Sequence, residues 1–98
     1  MNHIIHPEAD AEFLAHVRHY HEIDPELGNR FYDVVAARLC EASEHPKRYR
    51  VYDPPARRVL VPAFPYAVLY VPRAGYVLIV AVMHLKRRPG YWRRRLTD

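Results

Sequence analysis

The chain is short, half hydrophobic and basic, and these properties exclude several classes of protein. Its 98 residues are too few for two hydrophobic cores, so residues 1–98 are expected to form a single domain. A hydrophobic fraction of 50% indicates a globular protein, not a disordered one. No run approaches the roughly 18 apolar residues of a transmembrane helix, and the first residues lack the features of a signal peptide, so no membrane association is expected.

Charge is distributed unevenly along the sequence. Residues 1–55 carry six Lys or Arg and ten Asp or Glu, whereas residues 56–98 carry nine Lys or Arg and one acid, Asp98. This positive field favours a polyanion or an acidic protein segment as partner, and a solvated surface is the simpler alternative. The single cysteine, Cys40, forms no internal disulfide. Its helical context indicates a small buried side chain in a protein of the reducing cytoplasm.

The N-terminal part of the sequence predicts a short strand followed by a helix. His3–Ile5 is β-prone and is expected to form an edge strand. Pro7 suits the first turn of a helix that ends near Ile23. Apolar residues recur along it at helical spacing and form one stripe, which comprises Ala9, Phe13, Val17 and Tyr20.

A second helix is predicted directly after the first. Asp24 is its expected N-cap, Pro25 its first residue and His45-Pro46 its end. Gly28 lies inside this helix and costs about 1 kcal/mol relative to alanine unless close packing requires it. Because the connection is so short, the two helices are expected to form an antiparallel hairpin.

The C-terminal half predicts three strands after a partly extended connector at residues 47–53. The strands are Arg57–Val61, Tyr66–Val71 and Tyr76–His84, and Pro72–Gly75 form the last turn. The predicted fold is therefore α+β, with the order β-α-α-β-β-β. An antiparallel sheet of about four strands carries the two-helix hairpin on one face.

The last strand is apolar on both faces, which is typical of a central strand that is covered on both sides. Regular alternation predicts that Val77, Ile79, Ala81 and Met83 share one face and that Leu78, Val80 and Val82 share the other. The strand ends in a histidine, and a cluster of cations follows it at once. These residues are His84, Lys86, Arg87 and Arg88.

Three segments spread over most of the chain carry a resemblance to a known family. They are PELGNRFYDVVAARLCEASEHP in the second helix, ARRVLVPAFPYAVLY over the next two strands, and VLIVAVMHLKRRPGYWRRR at the end. The most specific combination is FPY, a strand ending AVMH, and then RRPGYW. The chain thus resembles the RelE/ParE superfamily of toxins from bacterial type II toxin–antitoxin and plasmid-stabilisation modules. The resemblance implies a small basic toxin that an antitoxin neutralises by wrapping its surface.

The resemblance leaves the cellular target open. RelE-like members cleave mRNA in the ribosome without a metal ion, whereas ParE-like members poison DNA gyrase. The first hypothesis is therefore a ribosome-associated mRNA endoribonuclease. The second is a non-catalytic gyrase inhibitor, and the third is an inactive relic that only binds its antitoxin. No cofactor or metal ion is implied.

For a nuclease, the resemblance implies a base that activates the ribose 2′-OH, cations that stabilise the phosphorane, and an acid that protonates the leaving oxygen. No lysine lies between Lys47 and Lys86, so the general base is not identified. The catalytic residues are expected to converge in one groove, and they are His84, Arg87, Tyr91 and Arg58. The residues expected to bind nucleic acid or a protein partner are Arg57, Arg73, Lys86, Arg88, Arg93, Arg94 and Arg95.

Three further residues have structural interpretations. Trp92 is expected to fold back as a lid on the core. His16 and His19 share a helical face, which invites comparison with a metal site. No matching cysteine or acidic ligand set accompanies them, so positions on a surface helix are favoured.

Overall fold

The computed structural model describes residues 2–97. Within this range one strand precedes a pair of helices, and four strands and a short 3₁₀ helix follow them. In chain order the elements are β1 (Asn2–Ile5), α1 (Pro7–Ile23), α2 (Pro25–Glu44), β2 (Val51–Asp53), β3 (Ala56–Leu60), β4 (Tyr66–Arg73), β5 (Tyr76–His84) and the 3₁₀ helix Arg93–Leu96. The predicted α+β class and the pair of consecutive helices are confirmed.

Local caps determine where both helices begin. The Nδ1 atom of His6 accepts the backbone N–H of Glu8 at 3.1 Å, and the carboxylate of Asp24 accepts that of Glu26 at 3.0 Å. In each helix a proline follows the cap, at a position where its missing N–H costs no hydrogen bond. The predicted boundary between the helices at Asp24 is therefore confirmed.

The sheet corrects the prediction in strand number and direction. Its order is β1-β5-β4-β3-β2. β1 pairs with β5 in parallel, with Asn2 opposite Tyr76 and Ile5 opposite Ile79, whereas the other neighbours are antiparallel. The connector also contributes a strand, β2. Residues 2–97 thus form a mixed sheet of five strands. The parallel strands β1 and β5 are joined through the helical hairpin and the strands β2 to β4, a connection well above the minimum length that a parallel pair requires.

The turn between β4 and β5 is tighter than predicted. Arg73 pairs with Tyr76, so the loop is confined to residues 74–75. Gly75 has a φ of +83°, a left-handed conformation that glycine adopts without strain. Pro72, which was expected in the turn, lies within β4 instead.

Both faces of the sheet are covered, as predicted for its central strand. The helices cover one face, and the C-terminal segment covers the other with Trp92, which is 1% exposed. The expectation that Trp92 is a lid on the core is confirmed. Residues of the helix-side core include Phe13, Phe31, Val35, Leu39, Val68, Tyr70 and Ile79. Residues of the second core include Leu69, Val71, Val80, Met83 and Trp92.

A β-bulge in β5 shifts side chains between the two cores. Ala81 and Ile79 lie opposite Leu69 and Tyr70, so Val80 has no partner in β4. Val80 and Ala81 therefore both belong to the second core. The regular alternation predicted for this strand holds through Val80 and is wrong from Ala81 onward, because the extra residue reverses the faces.

The two helices touch closely at Gly28. A Cβ atom added there would lie 2.7 Å from the Cα of His21. We expect Gly28→Ala to lower the free energy of unfolding by about 1 kcal/mol or more, because overpacking outweighs the gain in helix propensity. Urea denaturation measures the change. Ala37→Gly, at an exposed site of the same helix, measures the free energy that the difference in helix propensity between alanine and glycine contributes. A more stable Gly28→Ala protein would contradict the close contact.

Candidate functional site

Two elements cover the outer edge of β5. β1 pairs with its first part as far as Ile79, whose carbonyl also accepts the N–H of His6 at 3.0 Å. Beyond this point the chain turns into α1, and the Oε1 atom of Glu12 accepts the N–H of Val82 at 3.3 Å. A buried backbone N–H without a partner costs free energy. Glu12 therefore completes the sheet edge where β1 ends.

Arg95 is buried against Glu12, with 4% of its side chain exposed. Its Nη1 atom donates to Glu12 Oε1 and to the carbonyl of Val80, the bulge residue, both at 2.9 Å. Its Nη2 atom donates to Glu12 Oε2 at 3.0 Å, which makes the pair bidentate. The guanidinium that was expected to contact a partner is thus engaged inside the molecule.

Tyr91 joins the same carboxylate, and we call Glu12, Tyr91 and Arg95 the Glu12 cluster. The hydroxyl of Tyr91 donates to Glu12 Oε2 at 2.6 Å. Burial, together with this hydrogen bond, raises the pKa of Tyr91 far above its ordinary value, so the hydroxyl keeps its proton at neutral pH. The guanidinium of Arg87 lies 4.1 Å from the centre of the Tyr91 ring, which is within cation–π range.

The Glu12 cluster borders a polar groove of about 460 Å³, which we call the rim groove. Residues 86–88 follow β5 directly and are exposed. No ion pair within residues 2–97 involves them. Arg94, in contrast, donates to Glu8 at 2.9 Å. The groove is lined by Glu8, Ala11, Glu12, Arg87, Arg88, Tyr91, Arg94 and Arg95.

The four expected catalytic residues do not share this groove. Arg87 and Tyr91 lie in it together. Arg58 lies on β3 and lines a second groove, near the edge formed by β2. His84 lines neither groove, and its Nδ1 atom accepts the N–H of Lys86 at 3.0 Å. The fold thus brings together Arg87 and Tyr91 and separates them from Arg58.

His84 belongs instead to an aromatic cluster beside α1. Its ring centre is 5.2 Å from that of Tyr66, and the Tyr66 hydroxyl is 3.3 Å from His16 Nδ1. Burial lowers the pKa of His16 and raises the pKa of Tyr66 to about 12. Both side chains are therefore held in their neutral forms at neutral pH. His16 is half-buried on α1, whereas His19 on the same helix is exposed.

Three of the C-terminal cations meet acids from the N-terminal half. Arg93 is hydrogen-bonded to Asp53 of β2, and Arg94 to Glu8 of α1, in addition to the pair in the Glu12 cluster. The charge asymmetry of the sequence is therefore partly neutralised inside the molecule. The remaining predicted cations are Arg57, which donates to the carbonyl of Tyr49 at 2.7 Å, and Arg73, which is exposed at the β4–β5 turn.

Sequence reasoning did not identify Glu8 and Glu12 as site residues. Their i, i+4 spacing places them on one face of α1, and this spacing was the available signal. It does not indicate which distant arginines they meet. Cys40, which was expected to be buried, is exposed on α2.

The architecture and the basic rim define the class of this protein as a small toxin domain of the RelE/ParE type. The family model described as the ParE toxin of the type II toxin–antitoxin system parDE matches residues 4–89. The chain therefore belongs to this family, within the RelE/ParE superfamily. The matched range ends before Tyr91 and Arg95. A comparison with curated proteins gives no match.

Two structural absences accompany this assignment. Within residues 2–97, no helix is long and apolar enough to cross a membrane. In the same range no group of three or more His, Cys, Asp or Glu side chains is arranged to hold a metal ion.

Removal of Arg95 tests the Glu12 cluster. We expect Arg95→Ala to lower the free energy of unfolding by about 3–5 kcal/mol, because it leaves the buried carboxylate of Glu12 without its cation. Urea denaturation measures this loss. The matched control is Arg94→Ala, which removes an exposed ion pair and is expected to lower the free energy of unfolding far less. Equal losses in the two variants would contradict the buried pair.

The lowered pKa of His16 predicts a dependence of stability on pH. The folded protein holds His16 neutral, so protons bind more readily to the unfolded chain, whose histidine titrates near 6.5. His16 therefore makes its full contribution to the free energy of unfolding above that value, and the contribution decreases as the pH falls below it. Between about pH 7.5 and about pH 5.5, we expect the urea midpoint to fall less in His16→Gln than in the unmodified protein. His21→Gln, at an exposed histidine, is the control and should retain the full slope.

Proposed function

We propose that this toxin acts by binding a protein target through the rim groove, without breaking a covalent bond itself. By its resemblance to ParE-like toxins, the target is DNA gyrase. The first hypothesis from the sequence, a metal-independent mRNA endoribonuclease, requires an acid, a base and phosphate-binding cations around one ribose. The separation of the expected catalytic residues is the observation that carries the proposal.

The protonation states of the candidate residues support binding over cleavage. A general base must accept a proton within about 3 Å of the reacting hydroxyl. Tyr91 is protonated and already donates to Glu12, and Arg95 is enclosed in its ion pair. His84 lies outside the rim groove, with Nδ1 accepting a backbone N–H. The side chains that reach the rim groove supply positive charge, an aromatic ring and two carboxylates. Both carboxylates, Glu8 and Glu12, already accept hydrogen bonds from arginines, and none of the cations is a base at neutral pH.

The rim groove has the chemistry of a surface for acidic protein segments. Arg87 and Arg88 are exposed, and a guanidinium binds a carboxylate through two parallel hydrogen bonds. The guanidinium of Arg87 already lies over the ring of Tyr91. The side chain of Arg87 therefore loses less conformational entropy when it binds a partner. We propose that an acidic or amphipathic antitoxin neutralises the toxin by covering this groove. The antitoxin and the target would then compete for the same cations.

Charge reversal at the rim distinguishes the hypotheses. We expect the unmodified toxin to inhibit supercoiling by purified gyrase and, in cells, to cause DNA damage and filamentation. Arg87→Glu/Arg88→Glu should weaken gyrase inhibition by about tenfold or more, because two attractive contacts become repulsive. Arg30→Glu, at an exposed site on α2, is the control and should inhibit as the unmodified toxin does.

Two outcomes would overturn the proposal. Cleavage of mRNA on translating ribosomes by the purified toxin, with gyrase unaffected, would establish the nuclease. Harmless overexpression with retained antitoxin binding would identify an inactive relic. The unfolding midpoint of each variant is measured as well, so that an unfolded variant is not mistaken for a folded one that has lost its binding contacts.

A further inference from the structure

A second groove lies at the edge of the sheet formed by β2 and β3, away from the rim groove. It has a volume of about 500 Å³ and opens where the chain before β2 diverges from β3. We call it the arginine groove. It is lined by Arg38, Arg48, Tyr49, Arg50, Val51, Tyr52, Arg58, Val59 and Leu60.

The arginine groove carries positive charge with little compensation. Among residues 2–97, four arginines and no acid line it. The nearby Glu41 serves two of them: it lies 3.6 Å from Arg38 and is hydrogen-bonded to Arg48. Within residues 2–97, no ion pair engages Arg50 or Arg58. The groove therefore presents at least two guanidiniums to an acidic ligand.

The strand beside the groove has an open edge at Leu60. The N–H of Arg58 points outward and donates to the carbonyl of Arg50 at 3.2 Å, whereas the N–H of Val61 points inward to the carbonyl of Tyr66 at 3.0 Å. Because successive residues alternate in direction, the N–H of Leu60 points outward with that of Arg58. β2 begins at Val51, opposite Arg57, so no strand of the described chain pairs with Leu60 on this side.

Exposed apolar side chains surround this open edge. Leu60 is 54% exposed, Val51 50% and Tyr52 41%. The guanidinium of Arg58 lies 4.2 Å from the centre of the Tyr52 ring and so occupies one of its faces. An exposed apolar strand edge is a surface that other chains can extend by pairing.

We propose that the arginine groove binds an extended acidic peptide segment of another protein, which adds to the sheet beside Leu60. The backbone of the segment pairs with the outward N–H of Leu60. Its alternate side chains contact Val51 and Leu60, and its carboxylates meet Arg50 and Arg58. This is recognition by strand addition, in which the main chain supplies affinity and the side chains supply specificity.

The observations favour a peptide over a nucleic acid. Single-stranded nucleic acids bind by stacking their bases on open aromatic faces beside cations. Here Arg58 covers one face of Tyr52, and the other aromatic side chain of the groove, Tyr49, is partly buried against the helix-side core. An unpaired strand edge offers backbone hydrogen bonds that suit a peptide. The proposal concerns a surface distinct from the rim groove and does not depend on which target the toxin poisons.

Binding of a designed peptide to the full-length protein tests the proposal. The probe is a short fluorescent peptide that alternates glutamate with valine, and anisotropy measures its affinity at physiological salt. We expect Arg50→Glu and Arg58→Glu each to weaken binding by about tenfold, and Arg30→Glu to change it by less than about twofold. Hydrogen exchange of the Leu60 amide should slow when the peptide binds.

A second probe isolates the backbone contribution. The same peptide, N-methylated at alternate residues, keeps its charge, but its methyl groups block the edge that must approach the N–H of Leu60. We expect it to bind about tenfold more weakly or not at all. Equal affinity for both peptides would overturn strand addition. No binding of either peptide, or binding that Arg50→Glu does not weaken, would also overturn the proposal. Tighter binding of a single-stranded RNA or DNA of equal charge, lost in Arg50→Glu, would assign the groove to nucleic acid.

Discussion

The C-terminal half of the structure depends on the carboxylate of Glu12. It occupies the edge of β5 where β1 ends, and it accepts hydrogen bonds from the backbone of Val82, from Tyr91 and from Arg95. Such a pair adds little stability over an apolar alternative, because desolvation offsets much of the attraction. Its effect is therefore chiefly positional. With Arg95 held against α1, the preceding Trp92 lies over the second face of the sheet and closes it.

The same contact separates the cations of residues 86–95 into two groups. One group is paired with acids of the molecule itself, and the other is exposed. Arg93, Arg94 and Arg95 each meet an acid of the N-terminal half, whereas residues 86–88 remain at the surface. Positive charge in the C-terminal part of the sequence thus serves two purposes that composition alone cannot distinguish. One part fixes the tail to the body of the molecule, and the other part is available to a partner.

Local signals in the sequence were sufficient for the local structure. Pro7 located the start of the first helix, Asp24 and Pro25 located that of the second, and Gly75 located the turn between the long strands. The parallel direction of β1, the bulge at Val80 and the ion pair of Arg95 were not predicted. Each depends on contacts between residues far apart in the chain, which periodicity does not encode. For the same reason the sequence identified the cations of the candidate site but neither their carboxylate partners nor their division between two grooves.

The distance in sequence between Glu12 and Arg95 has a consequence for how the toxin is made. Synthesis reaches Glu12 of α1 well before Arg95, which lies 83 residues further along the chain. Until Arg95 has been synthesised and has left the exit tunnel, the edge of β5 has only part of its partners, and one apolar sheet face has no lid. Domains begin to fold from the N-terminus during synthesis. A nascent toxin therefore passes through an incomplete form, and this interval allows a chaperone or an antitoxin already present to capture it before it is fully assembled.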